Sequence, residues 1–586
     1  MSKRQIIAGA ACILLVVAAC YFPALQNGYI WDDDYYVTQN ATLRSVQGLY
    51  RMWFELRSIP QYYPLVHTTY WLEYHLWGLN PFGYHLVNIL LHAVNALLLW
   101  YLLRKLAVPG SWLAAALFAL HPVHVESVAW ITERKNVLSA FFYFLSLIAY
   151  IRASGLGQPI PVNGTAKEAN PFRFYLLSLI LFIGALLSKT VTCSLPAVIL
   201  LVIWWKRGRL TVRDITPLVP FFIVGAGLGL QTAWLEEHGV GARGDAFNYG
   251  IAERFLIAGR AFWLYLEKLF WPLPLAFFYP QWVVDVQAWR QYLFPISAIA
   301  GLAGLVLLQK KIGRGIAAAM LFFAGTLFPA LGFFNVFPMG YSFVADHFQY
   351  LASIGPLALF AAALKTSFLK MPVRLKAAEA VVICAVLCML GALVWQQSQI
   401  YKNEETLWRD TLVKNPRSLF AHMNLGKTLC DQGRPDDAIQ YFQAALLIKS
   451  NFAMTHYNLG VAYIKKGAHE QAMLHLKEAV RLNPEYAEAY YNLGIICALG
   501  NKDDEAVEYF LTSIKFMPES PSTYYNLGVV LERQKKIQAA AYCYSKTLRL
   551  NPYYLDARIQ LHRLQPYLNA PIKEPENIFQ QQAVEH

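Results

Sequence analysis

Ala380-Val381-Val382-Ile383-Cys384-Ala385-Val386-Leu387-Cys388-Met389-Leu390-Gly391-Ala392-Leu393-Val394-Trp395 contains no charged residue, and shortly after it the chain reads Tyr401-Lys402-Asn403-Glu404-Glu405. An apolar run of that length matches the hydrocarbon core of a bilayer, about 30 Å thick. It is the last of a series. From Gln5 to about Trp395 apolar residues fall in long blocks, and from Tyr401 onward the chain reads as charged, water-soluble helices. The composition therefore predicts a membrane part at 1–400, a soluble helical part at 401–565 and a tail at 566–586. The whole chain is 56% hydrophobic and 15% charged, against about 25% charged in soluble domains.

Eleven blocks have the composition of spans: 6–23, 84–106, 111–128, 136–152, 174–190, 192–205, 215–233, 292–308, 315–334, 347–366 and 377–395. The block 255–279 carries Arg260, Glu267 and Lys268 and reads as a helix lying at the membrane surface. Ile6 to Tyr21 follows a basic start without a small-x-small cleavage pattern, and is read as a retained anchor.

The net charge of +13 invites a nucleic-acid reading, which its distribution excludes. Residues 401–586 hold 21 Lys and Arg against 20 Asp and Glu, whereas residues 1–400 hold 29 against 17. That excess lies in short clusters between apolar blocks, such as Lys3-Arg4, Arg104-Lys105, Lys206-Arg207, Lys310-Lys311 and Lys370 with Arg374 and Lys376. Such clusters mark cytoplasmic loops. With eleven spans and the N-terminus inside, all of them fall on the cytoplasmic side. Loop 24–83, the stretch His121 to Lys135 and everything after 400 then lie outside, in the periplasm of a Gram-negative cell. The eight cysteines form no CxxC pair and no metal-like spacing with His, which leaves them as packing residues.

In the soluble part Asn-Leu-Gly recurs at Asn424, Asn458, Asn492 and Asn526. Ala438, Ala472, Ala506 and Ala540 keep the same period, as do Pro484, Pro518 and Pro552. Small residues at fixed points let antiparallel helices approach, and prolines stop the second helix of each pair. Phe442, Phe510 and Tyr544 are expected to fill the gap between neighbouring repeats, with helix 401–415 capping the array. The pattern resembles the tetratricopeptide (TPR) family, which implies an α-solenoid with a concave, peptide-binding groove. The repeated asparagines resemble the ladder by which nucleocytoplasmic O-N-acetylglucosamine transferases hold a peptide backbone. They also read as consensus decoration on an exposed face.

Trp31-Asp32-Asp33-Asp34 follows the first apolar block. Three adjacent carboxylates repel one another and raise one another's pKa, a setting suited to proton transfer, although one of them reads equally well as a helix cap. His121-Pro122-Val123-His124-Val125-Glu126 could supply ligands to a metal, but no third external ligand stands at a clear spacing, so no metal or other cofactor is assigned.

With these stretches in order, the chain resembles the transmembrane-and-TPR-containing protein O-mannosyltransferases, of the GT-C glycosyltransferase class. The likeness rests on Tyr29-Ile30-Trp31-Asp32-Asp33, Tyr63-Pro64-Leu65, Asn80-Pro81-Phe82-Gly83-Tyr84-His85, His121 to Val128, Glu133-Arg134-Lys135, Ser188-Lys189 and Asp346-His347-Phe348-Gln349-Tyr350. It departs where the family commonly carries Arg, at Tyr63 and at His347. The resemblance implies an all-α fold, a polytopic GT-C bundle followed by the solenoid. It implies a sugar, mannose or similar, moved from a polyprenyl-phosphate carrier to Ser or Thr of exported proteins. Asp32 or Asp33 would be the base, and Glu126 with His121 and His124 would hold the donor sugar. Lys189, Arg134 and Lys135 would stabilise the leaving phosphate, and Asn424, Asn458, Asn492 and Asn526 would grip the acceptor peptide. Two other readings stay open: a non-catalytic membrane scaffold that displays TPRs, and a GT-C enzyme acting on a glycan or lipid acceptor.

Overall fold

The computed structural model of the chain describes residues 2–156, 170–240, 242, 244, 247–372, 376–568, 571 and 572. Arg374 and most of the tail expected at 566–586 lie outside the described residues. The fold is helical throughout, without strands among the described residues, and the chain divides into two compact units that meet in sequence at Pro416 and Arg417.

In the first unit seven helices are long and apolar enough to cross a membrane, among the described residues: Lys3–Cys20, Pro81–Lys105, Ile131–Ala153, Thr190–Arg207, Val212–Gly239, Trp289–Leu307 and Ala378–Ile400. Ser111–Leu120 and Pro122–Ala129 together make an eighth candidate, bent by 54°. Pro122 explains the bend, because a proline forces the preceding residue out of helical geometry. Three shorter apolar helices, Pro171–Leu186, Arg314–Ala330 and Ile354–Leu369, coincide with further expected blocks. Local chemistry sets the starts and stops. Asn80 accepts a hydrogen bond from Phe82 N (3.1 Å), Pro81 opens the helix, and Arg104 and Lys105 occupy its last turn, where the helix dipole favours cations.

Helix Ile251–Phe270 is not among the apolar candidates. It carries Glu253, Arg254, Arg260, Glu267 and Lys268, and buries one face from Leu256 to Leu269. Gly259 lets it lie against helix Leu293–Leu307, since a Cβ there would stand 2.3 Å from Pro295 N.

Ile131–Ala153 is the most enclosed of the long helices and the bundle packs around it. The loop 24–83 is itself folded, with helices Val46–Phe54 and Pro64–Trp77. Helix Glu404–Lys414, expected to cap the repeats, instead belongs to the first unit, so that unit runs to Pro416 rather than 400. The cause is specific contact: Trp408 is buried, and Asn415 Nδ2 donates to Phe278 O (3.2 Å).

The second unit consists of four helix pairs followed by helix Leu555–Leu564. The periodic alanines are fully buried. The periodic glycines sit against a large side chain of the same repeat's second helix: a Cβ on Gly426, Gly460, Gly494 or Gly528 would lie 2.6–2.8 Å from Phe442, Leu476, Phe510 or Tyr544. Phe442, Phe510 and Tyr544 therefore fill space within their own repeats, and Phe510 and Tyr544 also belong to a core cluster that runs into the next repeat and the last helix. Each pair closes only because its first helix lacks a side chain at that point.

Overpacking a close helix contact typically costs about 1–3 kcal/mol. Gly494→Leu is expected to destabilise the repeats by about that amount, read as a lowered thermal midpoint by circular dichroism. An unchanged midpoint would mean that the glycine contact does not hold the pair together.

Candidate active site

The three aspartates of the loop after the first helix have three different surroundings. Asp33 is fully buried. Its Oδ1 accepts from Thr132 N (2.9 Å) and Thr132 Oγ1 (2.6 Å), and its Oδ2 accepts from Ile30 N (2.9 Å). Asp33 thus ties the loop to the start of the central helix. Burial outweighs those bonds and pushes its pKa up to about 7. Asp34 accepts from Thr38 Oγ1 (2.7 Å) one turn on. Asp32 alone of the three lines a cavity. Its carboxylate has no hydrogen bond among the described residues, and burial raises its pKa to about 6 against the pull of Lys135 and His347. Trp31, immediately before it, has φ +46°. Left-handed backbone costs a non-glycine residue about 1–2 kcal/mol.

The cavity has a volume of about 1050 Å³ and two kinds of wall. Val191, Phe222, Gly225, Ala226, Gly229, Leu230 and Ala233 form an apolar side, mostly on helix Val219–Leu235. Asp32, Glu126, Glu133, Lys135, Lys189, Glu236 and His347 are gathered at the other. Among these, Glu133 is central: its carboxylate lies 2.9 Å from Lys135 Nζ and 3.3 Å from Lys189 Nζ. Lys189 also donates to Asn136 Oδ1 (2.7 Å). An ammonium has three N–H donors, so Glu133 and Asn136 leave one of Lys189's for the cavity. Glu126 Oε2 accepts from His347 N (3.0 Å), and Oε1 lies 3.1 Å from His347 Nδ1, close enough for charge attraction but not aligned as a hydrogen bond. Glu236 accepts from Gln61 Nε2 (2.6 Å) and Phe337 N (3.3 Å), joining three segments at the rim.

The structure brings together Asp32, Glu126, Lys135 and Lys189 from the expected set. It does not bring Arg134, His121 or His124 to the cavity. Arg134 is fully buried behind the wall, with Nη1 2.5 Å from Glu73 Oε1 and Nη2 donating to Tyr84 O (2.8 Å). Thr69 and Asn88 take its remaining donors. His121 pairs with Leu269 O (3.0 Å), and His124 with Phe118 O (2.7 Å) and Ser353 Oγ (2.9 Å). These are framework contacts around the bend at Pro122. Among the described residues no group of three His, Cys, Asp or Glu side chains converges as a metal site.

Glu133, His347, Gln61 and Glu236 were not expected in the site. Glu133 could have been found within Glu133-Arg134-Lys135, but which member faces the cavity depends on the single turn Ile131–Glu133 that precedes the helix. Tyr63 and His347, the two positions where the expected resemblance breaks, both line the cavity.

In the repeats, Asn526 Nδ2 donates to Tyr491 OH (2.9 Å), and Asn492 Nδ2 to Glu488 O (3.0 Å) and, more weakly, to Tyr457 OH (3.5 Å). Asn492 thus spends both amide donors on the chain itself and Asn526 one of its two, and the carbonyl oxygens of both accept no bond from within the described residues.

TPR repeat models match residues 426–467 and 461–500, and tetratricopeptide repeat models match 487–519 and 521–554. The chain is 27% identical over 501 residues to the Homo sapiens protein O-mannosyl-transferase TMTC1, covering 75% of this chain and 54% of that one. It is 27% identical over 501 residues to the Mus musculus protein O-mannosyl-transferase TMTC4, covering 72% and 64%. The chain thus spans between half and two thirds of the length of these curated relatives. Among solved structures, that of MamA is 26% identical over 26% of this chain and 89% of its own, with a TM-score of 0.24.

Removing one partner of a buried ion pair typically costs about 3–5 kcal/mol. Glu73→Ala, which strands Arg134, is therefore expected to lose about that much stability, measured by denaturant unfolding in detergent. Glu126→Gln, on the cavity wall, is expected to unfold close to the wild type. Equal losses in the two variants would erase the distinction between framework and cavity.

Proposed function

We propose, for a chain related to the TPR-bearing protein O-mannosyl-transferases, that it is a GT-C glycosyltransferase moving a sugar from a polyprenyl-phosphate carrier to a Ser or Thr hydroxyl of an exported protein. The observation that carries this reading is the two-sided cavity. An apolar helical wall and a polar end that holds two lysines and a free carboxylate suit one ligand class, an isoprenoid joined through phosphate to a sugar.

The chemistry divides among residues already described. Asp32 takes the proton of the acceptor hydroxyl as its oxygen bonds to the anomeric carbon. The bond from that carbon to the phosphate oxygen breaks in the same step, and Lys135 and Lys189 stabilise the departing phosphate. A carboxylate with pKa near 6 is ionised at neutral pH yet still basic enough to share a proton in the transition state. Glu133 keeps the two ammonium groups together and compensates their charge between turnovers. Glu126 and His347 hold the sugar. Asp33 is not the base in this reading, because all of its recorded bonds are spent on the loop and on Thr132.

The cavity and the repeats face outward in this proposal, with the N-terminus in the cytoplasm and the chain in a bacterial inner membrane. The distribution of basic clusters supports that orientation. The solenoid offers acceptor protein a concave face lined by Asn424, Asn458, Asn492 and Asn526. Asn492 and Asn526 bind backbone N–H groups through their carbonyl oxygens, and Asn526 keeps one amide N–H for a backbone carbonyl.

Asp32→Asn keeps size and polarity but cannot take a proton, and loss of a positioned base costs about 10²–10⁴ in rate. Transfer of radiolabelled sugar from polyprenyl-phosphate mannose in membranes is expected to fall by about that factor. Wild-type kcat/KM is expected to rise with pH through about 6 and then level, since the base acts only when ionised. Full transfer by the Asp32→Asn variant would remove the base assignment and favour a non-catalytic scaffold.

A further inference from the structure

We infer that Glu404 is a positioning residue that aims Asp32 into the cavity, acting through the backbone of Trp31. The inference rests on the reading of Asp32 as the base, and its geometry is independent of the repeats.

Asp32 cannot set its own direction, because its carboxylate has no hydrogen bond among the described residues; its aim is inherited from its neighbours. On one side Asp33 anchors the turn to Ile30 and Thr132. On the other side stands Trp31, in a left-handed conformation that a bulky side chain adopts only where its surroundings impose it. Trp31 N–H donates to Glu404 Oε1 (3.1 Å). Glu404 is the first residue of helix Glu404–Lys414, whose cap Asn403 exchanges hydrogen bonds with Thr406, so its own backbone is fixed. One turn on, Trp408 presents its ring to Trp31 at 5.9 Å and 84°. Phe277, Phe278 and Trp130 close around the same indole at 5.4–5.5 Å.

A single helix therefore holds both the backbone and the ring of the residue before the base. Release of Trp31 N–H lets φ return to the negative region, and that rotates the Cα–Cβ direction of Asp32 away from the cavity. The function of Glu404 is acceptance of one hydrogen bond, so a side chain of similar size that accepts should serve and one that does not should fail.

The test uses the full chain in membranes with Glu404→Gln, which accepts, and Glu404→Leu, which does not. In the transfer assay Glu404→Leu is expected to lose tenfold or more in kcat with donor KM within about twofold, while Glu404→Gln keeps at least half of wild-type kcat. A second arm reads position directly and needs no activity. Asp32→Cys is placed in a Cys193→Ser background, because Cys193 lines the same cavity. Its labelling by a methanethiosulfonate is followed by peptide mass spectrometry with Glu, Gln or Leu at 404. Glu404→Leu is expected to change the labelling rate at least fivefold, and Glu404→Gln to leave it unchanged. Identical rates for all three, or a Gln variant as impaired as the Leu variant, would overturn the inference. Absence of transfer by the wild type would count against the proposed function instead, with the labelling arm still deciding the role of Glu404.

Discussion

The bond between Asp33 and Thr132 is the join on which the rest of the first unit depends. It fastens a loop between two apolar helices to the first turn of the most enclosed helix in the bundle. Once that turn is fixed, Glu133 and Lys135 fall on the cavity side and Arg134 falls behind it. The same bond leaves Asp32 at the tip of the turn, flanked by a residue fixed from each direction. A buried carboxylate is costly unless its oxygens are satisfied, and here one accepts from Thr132 and the other from Ile30 in its own turn. The arrangement converts a run of three aspartates into one anchor, one group bonded to Thr38 and one free group.

Charge at the cavity follows a similar economy. Asp32, Glu126, Glu133 and Glu236 are gathered with Lys135, Lys189 and His347 at one end of the cavity. Lone charges at membrane depth are expensive, and those retained there are paired and functional as a rule. Glu133 meets that condition for two lysines at once, which holds their ammonium groups beside each other where an anion could replace or share the carboxylate. Arg134, one residue along, is committed to Glu73 and the backbone, so its charge supports the wall rather than a ligand.

Much of this was legible in the residues. The 34-residue period of Asn-Leu-Gly gave away the helix pairs, because small residues at a fixed period have few other physical meanings. The apolar blocks mapped onto the membrane-type helices for the same reason. What stayed hidden depends on contacts between residues far apart in the chain. Arg134 and Lys135 look alike in sequence, and only the phase of a short turn separates them. His121 and His124 carry ligand-like chemistry, yet the bend at Pro122 turns them toward backbone carbonyls. The helix at 404–414 has the charge of a soluble element, and nothing local shows that Glu404 and Trp408 meet Trp31. Spacing reports that two helices approach, but not that the periodic aromatics also meet the glycines of their own repeats.

The two-sided cavity is proposed to bind a lipid-linked sugar phosphate. The most direct measurement is the structure of the Asp32→Asn variant, which should bind donor without turning it over, with polyprenyl-phosphate mannose by electron cryomicroscopy. The account predicts density for the phosphate within hydrogen-bond reach of Lys135 and Lys189 Nζ, with the isoprenoid lying along Phe222 to Ala233. An empty cavity at saturating donor, or a phosphate bound away from both lysines, would contradict it.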